Sequence, residues 1–211
     1  MDSTPIIQEA VRILREGGVI LYPTDTVWGI GCDATNEKAV ARVFEIKRRS
    51  EAKSLVLLAC DLDMVARHVK TIPSIAIDLV EVNDAPMTII YPGAQYLAPN
   101  AVAEDGTVGI RIPLVPEEDE EEGAPKKAAP KGNLTAGAFC RELVRRLRHP
   151  LVSTSANISG EPTPESFAEI SEEIKAAVDY VVPKPFGAGA TGRSSQIIKL
   201  GLGGEVEILR P

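Results

Sequence analysis

Short apolar runs rich in strand formers alternate with stretches whose apolar residues recur at helical spacing, and this alternation limits the fold to helices packed against a sheet. Ile6, Ile7, Ala10, Val11 and Leu14 follow Thr4 and Pro5, a cap and a first-turn proline, and Gly17-Gly18 stops the run. That predicts a leading helix. Val19 to Tyr22 then predicts a strand closed by Pro23. Thr35-Asn36-Glu37 caps a second amphipathic helix through Ile46, which finishes in Lys47-Arg48-Arg49. Further strands are expected at 55–59, 88–91, 108–112 and 151–154, and helices at 61–69, 74–82, 134–148 and 165–177. Strands at 179–182, 195–199 and 205–209 end the chain. Because strands accumulate late, a mixed sheet fits better than a purely parallel doubly wound one.

A chain of 211 residues, 44% apolar and 25% charged, suits one globular domain. No window reaches the roughly 18 to 20 uninterrupted apolar residues of a membrane helix, and Met1 to Pro5 lacks a secretory signature. A cytoplasmic location is expected. Cys32, Cys60 and Cys140 form no C-x-x-C pair, and His68 and His149 are the two histidines, so neither a zinc site nor a disulfide framework is expected. The net charge of −7 is unevenly spread. Residues 116–133, with the run Glu117 to Glu122 and three lysines, carry −3, leaving −4 for the rest. This acidic, then Pro- and Ala-rich stretch reads as a mobile surface insertion.

Several patterns suggest chemistry that their context does not support. Gly29 to Ala34 fits G-x-G-x-x-A and Gly187 to Gly192 fits G-x-G-x-x-G. A dinucleotide site needs those glycines between a strand and a helix; Pro23 to Trp28 separates the first from its strand, and a strand follows the second. The second reads as a flexible lid or turn. There is no P-loop and no G-x-S-x-G elbow. The cysteines read as small buried hydrophobes.

What remains is polar residues at strand and helix ends, where ligand-binding groups collect in α/β sheets. Pro23-Thr24-Asp25-Thr26 places two hydroxyls and a carboxylate beside glycines. Lys47, Arg48, Arg49 and Lys53 could be a solvated helix end, but the cluster leads straight into an apolar strand and supplies the several close cations that phosphates need. Ser153-Thr154-Ser155-Ala156-Asn157-Ile158-Ser159-Gly160 is a run of hydroxyls after a strand, either a polar turn or a site in which Ser155 and Asn157 point to one ligand.

In that order and spacing, Pro23 to Cys32, Lys47-x-Arg49 with Lys53-Ser54-Leu55, and Ser155 to Gly160 resemble the YrdC-like threonylcarbamoyl-AMP synthases. The similarity covers nearly the whole chain outside 116–133. Weaker agreement comes from Thr107 to Pro113, from Ser195-Gln196-Ile197 and from Ile208-Leu209-Arg210. The resemblance implies one α/β domain over 1–211, with flanking helices on a twisted sheet of mixed parallel and antiparallel strands around a basic cavity. It also implies a reaction in which L-threonine, bicarbonate and ATP give threonylcarbamoyl-AMP and pyrophosphate. The product feeds threonylcarbamoyl-transferase proteins that modify adenosine 37 of tRNA. Mg2+ is expected to arrive with ATP, and tRNA itself is a possible partner.

Carried onto this sequence, the resemblance places Thr26, Arg111, Ser155 and Ser195 at L-threonine, with Arg111 on its carboxylate. Arg49, Lys53, Thr107, Asn157 and Arg210 fall at ATP, Lys47 joins Arg49 in neutralising the phosphates, and Gly187 to Gly192 becomes a hinge. Asp25 reads as a general base or as an Asx turn ordering its own loop. Some residues depart from the family pattern: Asn83 to Thr88 keeps only the proline and threonine of W-P-G-P-x-T, a histidine is replaced near Leu58, and Trp28 stands where tyrosine is commoner. Glu165 occupies a position where relatives often carry a threonine, and it is given no role. A YciO-like paralogue and a non-catalytic RNA-binding module are the alternative readings.

Overall fold

The computed structural model describes residues 3–49, 55–115, 134–183 and 190–211. Lys53, residues 187–189 of the glycine stretch and the expected insertion at 116–133 lie outside them. The described elements are α1 (Thr4–Arg15), β1 (Ile20–Tyr22), β2 (Gly29–Gly31), α2 (Glu37–Ile46), β3 (Val56–Leu58), α3 (Leu62–His68), α4 (Ser74–Val82), β4 (Met87–Tyr91), β5 (Val108–Arg111), α5 (Ala136–Leu147), β6 (Leu151–Ser155), α6 (Glu172–Ala177), β7 (Tyr180–Val181), β8 (Gln196–Leu200) and β9 (Val206–Arg210).

Local chemistry accounts for most boundaries. The side chains of Asn36, Asp61, Thr135 and Ser171 accept from the backbone N–H three residues on, capping α2, α3, α5 and α6. Arg148 closes α5 in the left-handed region, with φ 68°, and Pro150 blocks any continuation. Ile7, Ala10, Val11 and Leu14 are the buried stripe of α1, which packs on α5.

The strands form one sheet in the order β7-β1-β2-β6-β3-β5-β4-β8-β9. Pairs β1/β7, β3/β5 and β4/β8 are parallel, and the others antiparallel. The mixed single-domain sheet is therefore as expected. Cys32, Cys60 and Cys140 are buried in the apolar core. No helix among the described residues is long and apolar enough to cross a membrane.

Two expectations change. Gly29–Gly31, outside every expected strand, is a central strand, because pairing with β1 and β6 overrides the low strand preference of glycine. At Gly31 glycine is required: a Cβ there would lie 2.1 Å from the carbonyl oxygen of Val152. The helix expected over 165–177 is instead a 3-10 turn at Phe167–Glu169 followed by α6, separated by extended Ile170. Glu169 accepts from the backbone N–H of Glu165 at 3.0 Å and from Ser166 Oγ at 2.9 Å, closing the first turn, and Ser171 starts a new helix.

Candidate active site

Directly paired residues on neighbouring strands share a face of the sheet. Val56 opposes Gly109 and Ser153, Leu58 opposes Arg111, and Gly29 opposes both Tyr22 and Ser155. One face therefore carries Arg111, Ser153 and Ser155, with Gly29 and Gly109 leaving its floor open. A Cβ on Gly29 would lie 3.4 Å from Thr24 Cγ2, so the loop 23–28 folds back over this face.

That loop is ordered by its own hydroxyls. Thr24 Oγ1 donates to the carbonyl of Val27 at 2.7 Å, lies 2.8 Å from Thr26 Oγ1, and accepts the Thr26 N–H at 3.1 Å. Asp25 does not form the Asx turn. One of its carboxylate oxygens accepts from Arg111 and the other from the Leu114 N–H at 2.9 Å. Both carboxylate oxygens are thus engaged, one of them in the ion pair with Arg111. Asp25 and Arg111 are both buried, and a second guanidinium nitrogen lies 3.5 Å from Thr26 Oγ1. The N–H groups of Thr191 and Gly192 donate to the carbonyls of Asp25 and Thr26, each at 2.9 Å, so the end of the glycine stretch docks on this cluster.

A second cluster forms where α2 ends. Lys47 is buried, and its ammonium donates to the carbonyls of Ser155 at 2.5 Å and Asn157 at 2.7 Å. Burial, reinforced by neighbouring Arg49, lowers Lys47 to about 8. Burial likewise lowers Arg49. Asn157 Nδ2 donates to the carbonyls of Ile158 at 3.1 Å and Glu161 at 2.7 Å. Beside it opens a cleft of about 280 Å³ lined by Ala156, Asn157, Thr163, Glu169 and Ser171 among others. The loop is joined to the first cluster by the Ala156 N–H, which donates to the carbonyl of Trp28 at 3.0 Å. Trp28 packs edge-on against Phe167, with centroids 4.9 Å apart.

A third group sits at the start of β8. Ser195 Oγ is 2.8 Å from Thr88 Oγ1, and Arg210 Nε donates to the Ser195 carbonyl at 2.8 Å. Burial lowers Arg210. Thr88, paired through a buried hydroxyl, is a residue with no role assigned from sequence; the retained threonine of the degenerate Asn83 to Thr88 segment was its one signal. Thr107 lies at the opposite end of β5 from Arg111. Its hydroxyl donates to Asp105 at 2.6 Å, and these bonds, with Lys199, hold Asp105 down at about 2.

The structure thus unites Thr26 with Arg111, Lys47 with Ser155 and Asn157, and Ser195 with Arg210. Thr107 stands apart in a surface turn.

Comparison with known proteins identifies the family and the fold. A family model named Sua5_yciO_yrdC and described as telomere recombination matches residues 12–118 and 133–211. The threonylcarbamoyl-AMP synthase of Xanthomonas euvesicatoria pv. vesicatoria is 32% identical over 208 residues, covering 94% of this chain and 100% of that protein. P. abyssi Sua5 complexed with L-threonine superimposes with a TM-score of 0.72 at 26% identity, over 92% of this chain and 50% of that one. The chain therefore spans about half of that Sua5. E. coli YciO shares the fold, with a TM-score of 0.71 at 22% identity over 98% of this chain and 88% of that one. With a family match over most of its length, the chain belongs to the Sua5/YciO/YrdC family.

Proposed function

We propose that the protein is an L-threonylcarbamoyladenylate synthase, joining L-threonine, bicarbonate and ATP into threonylcarbamoyl-AMP with release of pyrophosphate. The observation that carries this reading is the buried Arg111, held by Asp25 beside the Thr26 hydroxyl. A guanidinium with a nearby hydroxyl, shielded from water, suits a small hydroxy amino acid bearing a carboxylate. The relatives' name, and the L-threonine bound to P. abyssi Sua5, support the same substrate.

In this reading Arg111 takes the threonine carboxylate, and Thr26, Ser155 and Ser195 supply hydroxyls around the amino acid. The amine attacks the carbon of bicarbonate or CO2, giving a carbamate and, from bicarbonate, water. A carbamate oxygen then attacks the α-phosphorus of ATP and pyrophosphate leaves. Arg49, Arg210, Asn157, Thr107 and Lys53 are assigned to the nucleotide. Catalysis rests on positioning and charge stabilisation, since the protein forms no covalent bond to substrate. Among the described residues no three His, Cys, Asp or Glu side chains converge as a metal site. Mg2+ is assigned to the triphosphate, where it would neutralise charge on the leaving pyrophosphate. The product would pass to threonylcarbamoyl-transferase proteins acting on tRNA, in the cytoplasm.

The test is pyrophosphate release from ATP by the purified protein, with L-threonine and bicarbonate supplied together and each omitted in turn. Release that needs both is the expected result. ATP binding without release would turn the assignment toward a YciO-like paralogue, and salt-sensitive tRNA affinity without adenylate formation would turn it toward an RNA-binding module.

A further inference from the structure

We infer that Lys47 is a positioning residue, whose ammonium fixes the backbone of the loop 155–159 and thereby aims Ser155 and Asn157, rather than a direct contact of the triphosphate. The inference rests on the substrate roles given to Ser155 and Asn157 above.

Lys47 grips this loop at both of its ends. Its backbone carbonyl accepts the Ser159 N–H at 2.8 Å. Its ammonium donates to the carbonyls of Ser155 and Asn157 at 2.5 and 2.7 Å, and Asn157 Oδ1 lies 3.5 Å away. An ammonium has three N–H donors and no acceptor. Two are committed to the loop backbone and the third faces the Asn157 side chain, so none is directed outward to an incoming phosphate.

The loop in turn needs a donor there. The Asn157 N–H donates to the Ser155 carbonyl at 2.9 Å, a tight reversal that leaves the carbonyls of residues 155 and 157 converging on one point. Two part-buried carbonyl dipoles aimed together are unfavourable unless a donor stands between them. Lys47 is that donor, at 2% exposure. With the carbonyl and Oδ1 of Asn157 turned toward Lys47, its Nδ2 is left to brace Ile158 and Glu161 at the edge of the adjoining cleft. The Ala156 N–H extends the same grip to Trp28, at the end of the threonine loop. Lys47 thus sets the spacing between the amino acid and nucleotide sides of the site. The depression of Lys47 to about 8 is consistent with a cation placed inside the protein, and Arg49 is the charged group adding to that depression.

The experiment compares wild type with Lys47→Met by amide hydrogen exchange without ligand, and by calorimetric titration of L-threonine and of ATP. The expected result is exchange about tenfold faster or more at the Asn157, Ser159 and Glu161 amides, with Leu21, Leu57 and Ile110 unchanged. L-Threonine and ATP should both bind about tenfold or more weakly, the size expected for a lost charged hydrogen bond. Wild-type protection across the loop, or a loss confined to ATP, would overturn the inference and make Lys47 a direct phosphate contact. Should Lys47→Met fail to fold, Lys47→Arg carries the same test, because it keeps a cation and donors. Loop protection within about threefold of wild type, with the two affinities changing together, supports positioning; intact protection with a loss for ATP alone overturns it. Failure of wild type to bind either ligand would remove the synthase reading, while the ligand-free exchange result would still decide what Lys47 holds.

Discussion

Arg111 and Lys47 are both buried cations of the proposed site, yet the protein balances them differently. Arg111 meets the carboxylate of Asp25, which is itself tied to the Leu114 N–H. Lys47 meets neutral carbonyls, and the charged group that further depresses it is another cation, Arg49. The contrast separates two uses of buried charge. At Arg111 a counter-ion pre-orients a side chain proposed to face a ligand. At Lys47 a charge that meets neutral carbonyls orders a loop, at a cost in stability that appears as its lowered affinity for a proton.

The sharpest way to break the comparison is to remove the counter-ion. Asp25→Ala leaves Arg111 buried without a partner, and should lower unfolding free energy by about 3 to 5 kcal/mol in urea denaturation, with loss of threonine-dependent turnover. A loss under about 1 kcal/mol would mean that the pair is not what holds this side of the site.

Next in size is a pH effect confined to the Lys47 side. Its folded value of about 8 lies below the ordinary 10.5, so between these limits the unfolded chain binds more protons and stability rises with pH. Below about 8 the full cost of the buried charge, roughly 3 kcal/mol, is present; above 10.5 it is gone. Wild type should therefore gain about that much relative to Lys47→Met between pH 8 and 10.5. Urea melts of both proteins at the two ends of this window measure it, and a constant difference would contradict the contrast with Arg111.

Replacing the whole ion pair sharpens the comparison further. Asp25→Leu with Arg111→Met should bring stability to within about 1 to 2 kcal/mol of wild type, because the burial of both charges is avoided. Threonine binding should remain absent in titration calorimetry. Recovery of binding without the guanidinium would remove Arg111 from the substrate site.

The smallest effect concerns the contact that ties the loop 23–28 to the segment before α6. Phe167→Ala removes the edge-on packing under Trp28 and should cost about 1 kcal/mol. Because Trp28 is the one tryptophan of the chain, its fluorescence reports the same change directly through a shifted emission maximum. An unchanged spectrum would mean that Trp28 is held by other contacts.

Much of the fold is legible in the sequence because its determinants are local. The helical spacing of Ile7, Ala10, Val11 and Leu14, the caps at Asn36 and Asp61, and the apolar runs before Pro23 and after Lys53 act over a few residues. The motif order also drew Thr26, Lys47, Arg111, Ser155 and Asn157 into one candidate site. The strand Gly29–Gly31 was not legible, since two glycines carry little strand preference and long-range pairing with β1 and β6 makes the strand. Nor was the break at Ile170, where side-chain bonds to Glu169 compete with a continuous helix.

Sequence alone determined which residue types would collect at the strand ends, because periodicity, caps and turns are properties of neighbouring residues. Tertiary structure decided what each charge does. Arg111 finds its carboxylate 86 residues away, and Lys47 finds its carbonyls 108 and 110 residues away. Backbone carbonyls carry no sequence signature, so a lysine that orders a loop and a lysine that binds phosphate look the same until the chain is folded.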